Sequence, residues 1–509
     1  MSSRFASFLL VSACTASVGT TSSTAHVRVA HLSPDAPNVD FCVAPHGTTD
    51  FTGPILSSNG HLTGLPYGNV TKYFELPAEQ YDVRLVAPGL SDCTQALGGL
   101  ADFTDLPELP AGASATIGAE GFATLGKATP LALRAYIDDT TVDASQAKLR
   151  FIHASPGTPP VDVGIGGGAL FSGLFSDVAY GNAAASGYLT TAPIDGVELS
   201  ARAHGTLSDV LSIKPASLPA GAIASAFAIG ELGAATDPLR VLLCVDNAAP
   251  VGLLTSCSVV GGVPERAHVR IAHLSPDAPP VDVCLAAAGT GEFGKPVLKT
   301  LGALAGLAYP QLTTYVDLPV GSYDARIIQA TASDCSIGVI PDAQNIAVAQ
   351  DLTATVAAIG VLDHSGAAAS DPALSLAVFV DDTSVASGMT KLRFIHASPG
   401  TPAVDVGLGR GDAFVKVFAD VSFGTIAAGA ASDNGFVATS PVTAPVAARL
   451  ANQSSDALVV PSVTLPADAI QTAIAIGGKT GASDNPLSVL LCNDNAPASG
   501  LFTSCTVAQ

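Results

Sequence analysis

Tryptophan is absent from this chain of 509 residues, and aromatic residues make up only 6% of it. Charged residues are also scarce, at 13% of the chain. Sites that stack on sugar rings favour large aromatic side chains, so the missing tryptophan argues against carbohydrate binding. Basic residues are outnumbered by acidic ones, 22 to 43, which gives a formal net charge of -21. This balance predicts no nucleic-acid partner and no anionic lipid surface, because both would repel the chain.

The sequence also lacks an apolar run long enough to cross a bilayer, so no transmembrane span is predicted. Its start, "MSSRFASFLLVSAC", has the short basic segment and brief apolar segment of an export signal, which we place at residues 1–25. Two processing routes stay open. Cys14 closes a stretch that resembles a bacterial lipoprotein signal, which would give a lipid anchor and an outer-membrane lipoprotein. Ordinary cleavage before His26 would instead release a secreted or cell-surface protein.

Cysteine is infrequent, and its spacing repeats. Without Cys14, eight cysteines remain, with intervals of 51 and 13 positions that each occur twice. No Cys-x-x-Cys and no paired histidines at metal spacing occur, so neither a metal site nor a cofactor is predicted. If the two halves fold alike, three pairings per half are open. We predict the pairs that lie within one domain each: Cys42 with Cys93, Cys244 with Cys257, Cys284 with Cys335, and Cys492 with Cys505.

One motif occurs four times. It reads "RVAHLSPDAPNVDFCVA", "RFIHASPGTPPVDVGIG", "RIAHLSPDAPPVDVCLA" and "RFIHASPGTPAVDVGLG", beginning at Arg28, Arg150, Arg270 and Arg393. The period of about 120 residues is the size of a domain. The first and third motifs resemble each other, as do the second and fourth, which indicates a duplicated two-domain unit. We therefore divide the chain into copy one (26–146), copy two (147–262), copy three (263–388) and copy four (389–509).

Short alternating stretches bounded by proline, glycine and aspartate predict strands throughout each copy. With 50 glycines and 35 prolines, long helices are disfavoured. An apolar strand in each copy ends in an Ile-Gly pair, at Gly118, Gly230, Gly360 and Gly477. We predict an all-β protein of four tandem β-sandwich domains of immunoglobulin-like type, with a barrel as the alternative.

The opening motif, the central "LP-x-G-x-Y-x-x-R" hairpin and the late "A-I-G" strand resemble the bacterial domain of unknown function 4397. The resemblance covers nearly all of the chain after residue 26, as four tandem copies. Copies two and four depart from it in the central hairpin. The resemblance implies an exported bacterial protein with small β-rich domains, and it implies no activity or catalytic residues.

A histidine and an aspartate stand nine positions apart in every motif. The histidine stands three positions after the motif arginine on one strand. Because successive side chains of a strand point to opposite faces, the histidine and the arginine lie on opposite faces. We predict a structural role in which the buried histidine bonds to the aspartate or to a backbone carbonyl; alternatively, the aspartate pairs with the motif arginine. The pairs are His31 and Asp40, His153 and Asp162, His273 and Asp282, and His396 and Asp405.

Other polar residues allow two interpretations each. The motif serines, such as Ser155, precede proline and are interpreted as caps of local backbone groups, with a nucleophile as the alternative. Asp138-Asp139 and Asp381-Asp382 are interpreted as solvated turn residues, with a calcium site shared with Asp35 or Asp277 as the alternative. Four residues near the central hairpins are interpreted as packing and strand-face residues, with a carbohydrate-binding surface as the alternative: Tyr81, Tyr323, Arg84 and Arg326.

Two functions follow from these patterns. The first is an exported, non-enzymatic, multi-domain surface or extracellular protein that serves as a structural spacer or binds an unknown extracellular or cell-envelope partner through its loops. The alternative is a secreted hydrolase that uses the histidine, serine and aspartate of the motif.

Overall fold

The computed structural model describes residues 24–60, 62–363, 371–426, 434–478, 485–496 and 500–508. Most of the predicted export signal, with Cys14, lies outside these residues. The first strand begins at Thr24, and Ala25 is buried and paired with Leu76. Cleavage before His26 would therefore remove two residues that take part in a sheet.

Strands dominate the described residues in all four copies. Copy one has β1 Thr24–His31, β2 Asp40–Pro45, β3 Asn69–Val70, β4 Phe74–Pro77, β5 Tyr81–Val86, β6 Ser114–Glu120 and β7 Ala132–Asp138. Copy two has β8 Ala147–His153, β9 Val161–Ile165, β10 Ser172–Val178, β11 Asn182–Ala183, β12 Leu189–Thr191, β13 Ile194–Ala203, β14 Asp209–Leu218, β15 Ile223–Ile229, β16 Arg240–Val245 and β17 Ser256–Val260.

The second half repeats this series. Copy three has β18 Arg266–His273, β19 Val281–Ala287, β20 Gln311–Leu312, β21 Val316–Pro319, β22 Gly321–Gln329, β23 Ala343–Val348, β24 Thr353–Ile359 and β25 Ser375–Val380. Copy four has β26 Thr390–His396, β27 Val404–Leu408, β28 Val415–Val421, β29 Phe436–Thr439, β30 Val442–Leu450, β31 Asp456–Leu465, β32 Ile470–Ile476, β33 Ser488–Asn493 and β34 Cys505–Ala508.

Helix is confined to short turns. The described α-helices are α1 Ile55–Gly60 and α2 Val297–Thr300, and three-residue 3-10 turns occur at Leu97–Gly99, Gly168–Leu170 and Gly411–Ala413. The prediction of an all-β protein is confirmed. In the part of the chain that the structure describes, no helix is both long and apolar enough to cross a membrane.

The strand that carries the motif histidine lies inside the first sheet of each copy. It runs parallel to the later apolar strand of the same copy, as β1 does to β6, β8 to β15, β18 to β24 and β26 to β32. The apolar strand then pairs antiparallel with the closing strand β7, β16, β25 or β33. Parallel neighbours need a long connection, and the chain between them supplies the strands of a second sheet.

The second sheets have the orders β2-β5, β10-β9-β13-β14, β19-β22-β23 and β28-β27-β30-β31 in the four copies. In copy four, Phe394 and Ala475 of the first sheet share an apolar core with Val406 and Phe418 of the second. Copies one and three enclose comparable cores between their own two sheets. These copies have the two-layer arrangement of a β-sandwich.

The chain divides into two compact units. Unit one comprises Met1–Pro160, Asp177–Asp195 and Ser217–Val260, and unit two comprises Val161–Ser176, Gly196–Ala216 and Gly261–Gln509. The first sheet of copy two thus belongs to unit one, and most of its second sheet belongs to unit two. The domain boundaries near residues 146, 262 and 388 remain a prediction.

Within each unit, the first sheets of two copies pack against each other. In unit one, Ala30 and Leu32 of copy one meet Ile152 and Ala154 of copy two in one apolar cluster. In unit two, a corresponding cluster joins copies three and four through residues that include Ala272, Leu274, Ile395 and Ala397. In copy four both faces of the first sheet are therefore covered, which explains why all seven residues of the apolar strand β32 are buried.

Candidate functional site

The four motif histidines are buried at the ends of their strands, and each bonds to a backbone carbonyl. Nε2 of His31 lies 2.9 Å from the carbonyl oxygen of Pro37, and His153, His273 and His396 make the same contact six residues ahead at 3.0 to 3.2 Å. A carbonyl cannot donate, so Nε2 carries the proton in each ring. The contact ties the proline-rich loop back to the strand that it leaves.

Burial is the main cause that lowers the pKa of all four histidines below the usual value. These rings are therefore neutral at neutral pH. In copies two and four the other ring nitrogen, Nδ1, accepts the backbone N–H of Ser155 or Ser398 at 3.3 Å. Neither nitrogen is then available for proton transfer, because one donates to a carbonyl and the other accepts from the backbone.

Each histidine ring also meets an aromatic ring edge-on, a partner that the sequence analysis missed. The partners of His31, His153, His273 and His396 are Tyr67, Tyr180, Tyr309 and Phe423, with centroid distances of 6.0 to 6.3 Å. A signal was present in the sequence, since a tyrosine or phenylalanine recurs at a fixed interval after the histidine within each class of copy. The aromatic ring helps to fill the space beside the imidazole.

The motif serines are fully buried and hold the loop to the apolar strand. The hydroxyl of Ser155 donates to the carbonyl oxygen of Gly230 at 2.6 Å, and Ser398 donates to Gly477 at the same distance. In copies one and three the hydroxyls of Ser33 and Ser275 lie 3.4 and 3.1 Å from a carboxylate oxygen of the loop aspartate two residues later. A buried hydroxyl that donates to a carbonyl is poorly placed to attack a substrate.

The strand-end glycines beside these serines occupy a left-handed conformation. Gly230 and Gly477 have φ of 78° and 79°, and a Cβ there would lie 2.3 and 2.1 Å from a proline carbonyl oxygen. The same geometry occurs at Gly360 and, in copy one, at Gly121. The prediction that the apolar strand of copy one ends at Gly118 is wrong, because β6 continues to Glu120.

The motif aspartates do not bond to the histidines in copies one, three and four. Asp40 accepts the backbone N–H groups of Leu56 and Ser57 at 2.9 and 3.0 Å, and thereby holds the start of α1. Asp282 holds α2 in the same way, through Leu298 and Lys299. Of the two partners predicted for the histidine, the structure shows the backbone carbonyl, and in copies one and three the carboxylate instead accepts amide N–H groups at the start of a short helix.

In copies two and four this helix is replaced by a hairpin, and the aspartates have other partners. Asp162 accepts from the hydroxyl of Ser176 and bonds to His204, both at 2.9 Å. Asp405 accepts the backbone N–H of Asp420 at 2.9 Å and pairs with Lys416 at 2.6 Å. The same motif position therefore stabilises different local structures in the two classes of copy.

The motif arginines of unit one are buried, and each pairs with an aspartate of the other copy. Arg28 of copy one pairs with Asp246 of copy two at 2.9 Å, and Arg150 of copy two pairs with Asp138 of copy one at 2.6 Å. Thr116 and Ser225 accept from the two guanidinium groups, which lie over tyrosine rings. We call these two arginines and two aspartates the unit-one ion-pair cluster.

Unit two repeats the arrangement. Arg270 pairs with Asp494 at 2.7 Å, and Arg393 pairs with Asp381 at 2.6 Å, so that each arginine again reaches the other copy. We call these four residues the unit-two ion-pair cluster. Burial by itself lowers the pKa of Arg270, but the carboxylates of Asp494 and Asp381 outweigh it and raise the pKa. The two arginines and two aspartates of this cluster therefore have no net charge, which reduces the cost of burying them between the first sheets of copies three and four.

These contacts correct two expectations from the sequence. Asp138 and Asp381 were interpreted as solvated turn residues, yet both are buried and paired with arginine. The motif arginine pairs with these closing-strand aspartates and not with Asp40 or Asp282. The physical reason is that both faces of the motif strand are buried, so an arginine there requires a carboxylate from the facing sheet.

The neighbouring aspartates remain at the surface. Asp139 pairs with Lys148 at 2.5 Å, and Asp382 pairs with Lys391. Asp35 and Asp277 accept backbone N–H groups of a facing loop, such as Ala123 and Leu362. Among the described residues, no group of three or more histidine, cysteine, aspartate or glutamate side chains is placed to hold a metal ion.

The residues near the central hairpins have partners within the fold. Arg84 forms a two-pronged pair with Asp102, with both contacts at 2.7 Å, and lies over the ring of Phe51. Arg326 repeats this pair with Asp342 at 2.9 and 2.8 Å. The hydroxyls of Tyr81 and Tyr323 donate to proline carbonyls four residues earlier. The four side chains therefore bond to residues of their own copy, as the packing interpretation expects.

Disulfides join the cysteines in four pairs: Cys42 with Cys93, Cys244 with Cys257, Cys284 with Cys335, and Cys492 with Cys505. The two disulfides with a separation of 51 residues join a strand of the second sheet, β2 or β19, to the loop that follows β5 or β22. The two short links join β16 to β17 and β33 to β34 across neighbouring strands. Each bond lies within one proposed copy.

A polar group in unit one includes two residues, Glu120 and Tyr136, whose corresponding described positions in unit two carry the apolar Ile359 and Phe379. Glu120 is fully buried; it accepts from the hydroxyl of Tyr136 at 2.7 Å and lies 3.5 Å from Arg134. Tyr180 lies beside Arg134, which is 5.6 Å from the centre of its ring. Burial is the main cause that raises the pKa of Glu120 to about 7. We call these four residues the Glu120 cluster.

Comparisons with known proteins were made for sequence and for structure. A family model described as a domain of unknown function, DUF4397, matches residues 25–164, 147–252 and 267–407. Among solved structures, the chain is similar to the Bacillus anthracis TIE protein, with 9% identity, coverage of 87% of this chain and 68% of that chain, and a TM-score of 0.12. It is also similar to BcpA, the major pilin subunit of Bacillus cereus, with 10% identity, coverage of 66% and 98%, and a TM-score of 0.14. The search of curated proteins gave no match. Such TM-scores support no argument about this chain.

Proposed function

This chain belongs to the DUF4397 family, and from that premise we propose that it is an exported, non-enzymatic protein whose paired β-domains serve as a structural spacer or binding module at the cell surface or outside the cell. The observation that carries the proposal is the use of the repeated polar residues. In every copy the motif arginine, histidine and serine are buried and bonded within the fold. Residues that recur four times therefore stabilise the structure instead of facing a substrate.

The cysteines support the exported location. Four disulfides in one chain are typical of oxidising compartments, because cytosolic reductants keep thiols reduced. The N-terminal residues support it independently through their export-signal pattern. With a net charge of -21, the protein repels anionic surfaces, so a partner in the extracellular space or cell envelope would be met through neutral or basic groups.

The ion-pair clusters support a spacer in particular. In each ion-pair cluster, the arginine of one copy pairs with an aspartate of the other copy of the same unit. Apolar residues of the same two copies also pack together. Relative motion of the two copies would separate buried charges in a region without water, which is costly. The first sheets of copies one and two are therefore expected to move as one body.

A distance measurement tests this rigidity. Spin labels on exposed Leu125 of copy one and Val251 of copy two should give a narrow distribution of distances. Asp246→Asn keeps the size of the side chain but removes the charge that pairs with Arg28, and it should broaden that distribution. Asp139→Asn, which alters a surface ion pair, is the matched control. A broad distribution in the unaltered protein would contradict the spacer proposal.

The hydrolase alternative has its own test. Ser155→Ala and His153→Ala proteins should behave like the unaltered protein on panels of ester, peptide and glycoside substrates, because no activity is expected from any of them. Hydrolysis that is lost in Ser155→Ala, with an unchanged unfolding midpoint, would favour the hydrolase.

The mode of export is proposed separately. If Cys14 is lipidated, the protein should incorporate a radiolabelled fatty acid and partition into detergent, and Cys14→Ser should abolish both. If cleavage is ordinary, the mature protein should begin near His26 and carry no label. N-terminal sequencing of the exported protein distinguishes the two routes.

A further inference from the structure

Copy three contains an apolar cavity between its two sheets. Its volume is about 100 Å³, and it lies between strands that include β18, β24, β19 and β22. All the side chains that line it are aliphatic except that of Tyr323, whose hydroxyl donates to the carbonyl oxygen of Pro319 at 2.8 Å. The cavity therefore offers a ligand only apolar contacts.

The corresponding space in copy one is half as large, about 50 Å³. Two positions carry phenylalanine in copy one and valine in copy three. Phe74 pairs with Val27 on β1, where copy three pairs Val316 with Val269 on β18. Phe41 follows Asp40, where Val283 follows Asp282 in copy three.

The two phenylalanine rings of copy one lie edge to face, 6.4 Å apart. A phenylalanine side chain has about four more heavy atoms than a valine side chain, so two valines leave a void that two rings fill in the same β-sandwich. The space in copy three is thus built into the sequence at Val283 and Val316.

A void of this kind does not hold water well. A buried water needs about three hydrogen bonds, and the one polar side-chain group of the lining is the hydroxyl of Tyr323, which already donates to Pro319. An empty apolar void instead lacks the dispersion contacts that its lining atoms would otherwise make. A comparable cavity of about 150 Å³ in another protein binds benzene or xenon for this reason.

We propose that the cavity of copy three binds one small hydrocarbon-like molecule, of the size of a single aromatic ring or a short alkyl chain. This site goes beyond the spacer role and does not depend on it. Copy one lacks the site because Phe41 and Phe74 occupy the space.

Benzene is the probe, and the full-length protein is the sample. Saturating benzene should raise the unfolding midpoint, and calorimetry should give one site per chain. Phenol, which has the same ring and one hydroxyl, should bind at least about tenfold more weakly, because its hydroxyl would be buried without a partner. Val283→Phe should weaken benzene binding by at least about tenfold, since the new ring fills the space as Phe41 does in copy one.

A second variant, in which Phe41 and Phe74 of copy one are replaced by valine, tests the proposal even if the Val283→Phe protein does not fold. Phe41→Val with Phe74→Val should open a second site in copy one and raise the stoichiometry from one to two. A protein with no response to benzene, equal binding of phenol, or benzene binding that survives in a folded Val283→Phe protein would overturn the proposal. So would a folded double-valine variant that still binds one benzene.

Discussion

The packed first sheets of unit one and unit two share a backbone arrangement but differ in the side chains that fill it. Glu120 pairs with Ala132 at the end of β6, and the corresponding end of β24 carries Ile359. Phe379 stands in unit two where unit one has Tyr136, each opposite the central threonine of the apolar strand. The edge-on partner of the histidine is Tyr180 in copy two and Phe423 in copy four.

The ion-pair clusters, by contrast, are the same in both units. The arginine-to-aspartate distances lie between 2.6 and 2.9 Å in each, and the partners cross between copies in each. The comparison shows that both units retain the crossed ion pairs, while the surrounding positions hold polar side chains in one unit and apolar side chains in the other. Unit one gains the buried carboxyl of Glu120, whose pKa burial raises to about 7, at the position where unit two has Ile359.

The largest expected effect breaks the feature that the units share. Asp246→Ala leaves Arg28 without its closest carboxylate and should destabilise unit one by about 3 to 5 kcal/mol. Asp494→Ala should do the same to unit two through Arg270. Hydrogen exchange measured on peptides from each unit gives the two losses separately. Asp139→Ala, at a surface ion pair, should cost less than about 1 kcal/mol, and an equal cost at Asp139 and Asp246 would contradict the role of burial.

The next effect exploits the difference between the units. The pKa of Glu120 is about 7 in the folded protein, above the ordinary value of 4.5, so the folded state holds its proton more tightly. The corresponding stability is fully present below about pH 4.5 and is lost as the pH rises through 7, a difference of about 3 kcal/mol. Protection of β6 and β7 should therefore fall between pH 5 and pH 8, after correction for intrinsic exchange, by more than that of β24 and β25.

Two variants sharpen this result. Glu120→Gln keeps an acceptor for Tyr136 but does not titrate, so it should remove the fall in protection and stabilise unit one at pH 8. Glu120→Ile with Tyr136→Phe gives unit one two of the residues of unit two and should also remove it. A fall that persists in both variants would assign it to another group.

A smaller effect is expected at the motif histidines. His153→Ala removes the donor to Pro159 and the acceptor for Ser155 N–H, and should cost about 1 to 3 kcal/mol at pH 8. Since burial lowers the pKa of His153, the stability that depends on its neutral form is present above about pH 6.5 and declines as the pH falls below it. Thermal unfolding at several pH values measures both. His204→Ala, at a half-exposed histidine, should change stability by less than about 0.5 kcal/mol.

The smallest effect compares the two classes of copy. Asp40→Ala removes the acceptor for the first amides of α1 and should cost about 1 kcal/mol, as the loss of a helix cap does. Asp162→Ala should cost less, because its partners Ser176 and His204 are themselves exposed to water. Urea unfolding of the two variants gives the comparison, and a larger loss at Asp162 would reverse it.

The sequence predicted some parts of the site and not others. The burial of His153 followed from the strand face that it shares with Leu149 and Phe151. The partner of Asp40 did not follow, because nothing in the motif indicates that a helix as short as α1 will begin beside it. Tyr67 and Tyr180 were within reach of sequence reasoning, since their intervals from the histidine recur in copies three and four.

The sequence by itself determined the all-β class, the fourfold repeat and its grouping in pairs, because alternation, turn residues and repeated motifs are local features that can be read in order. Only the tertiary structure decided which carboxylates neutralise the motif arginines. Arg270 and Asp494 are 224 positions apart and belong to different copies. Their pairing depends on two sheets meeting face to face, and a strand pattern records that a face is apolar or charged but not which other face will cover it.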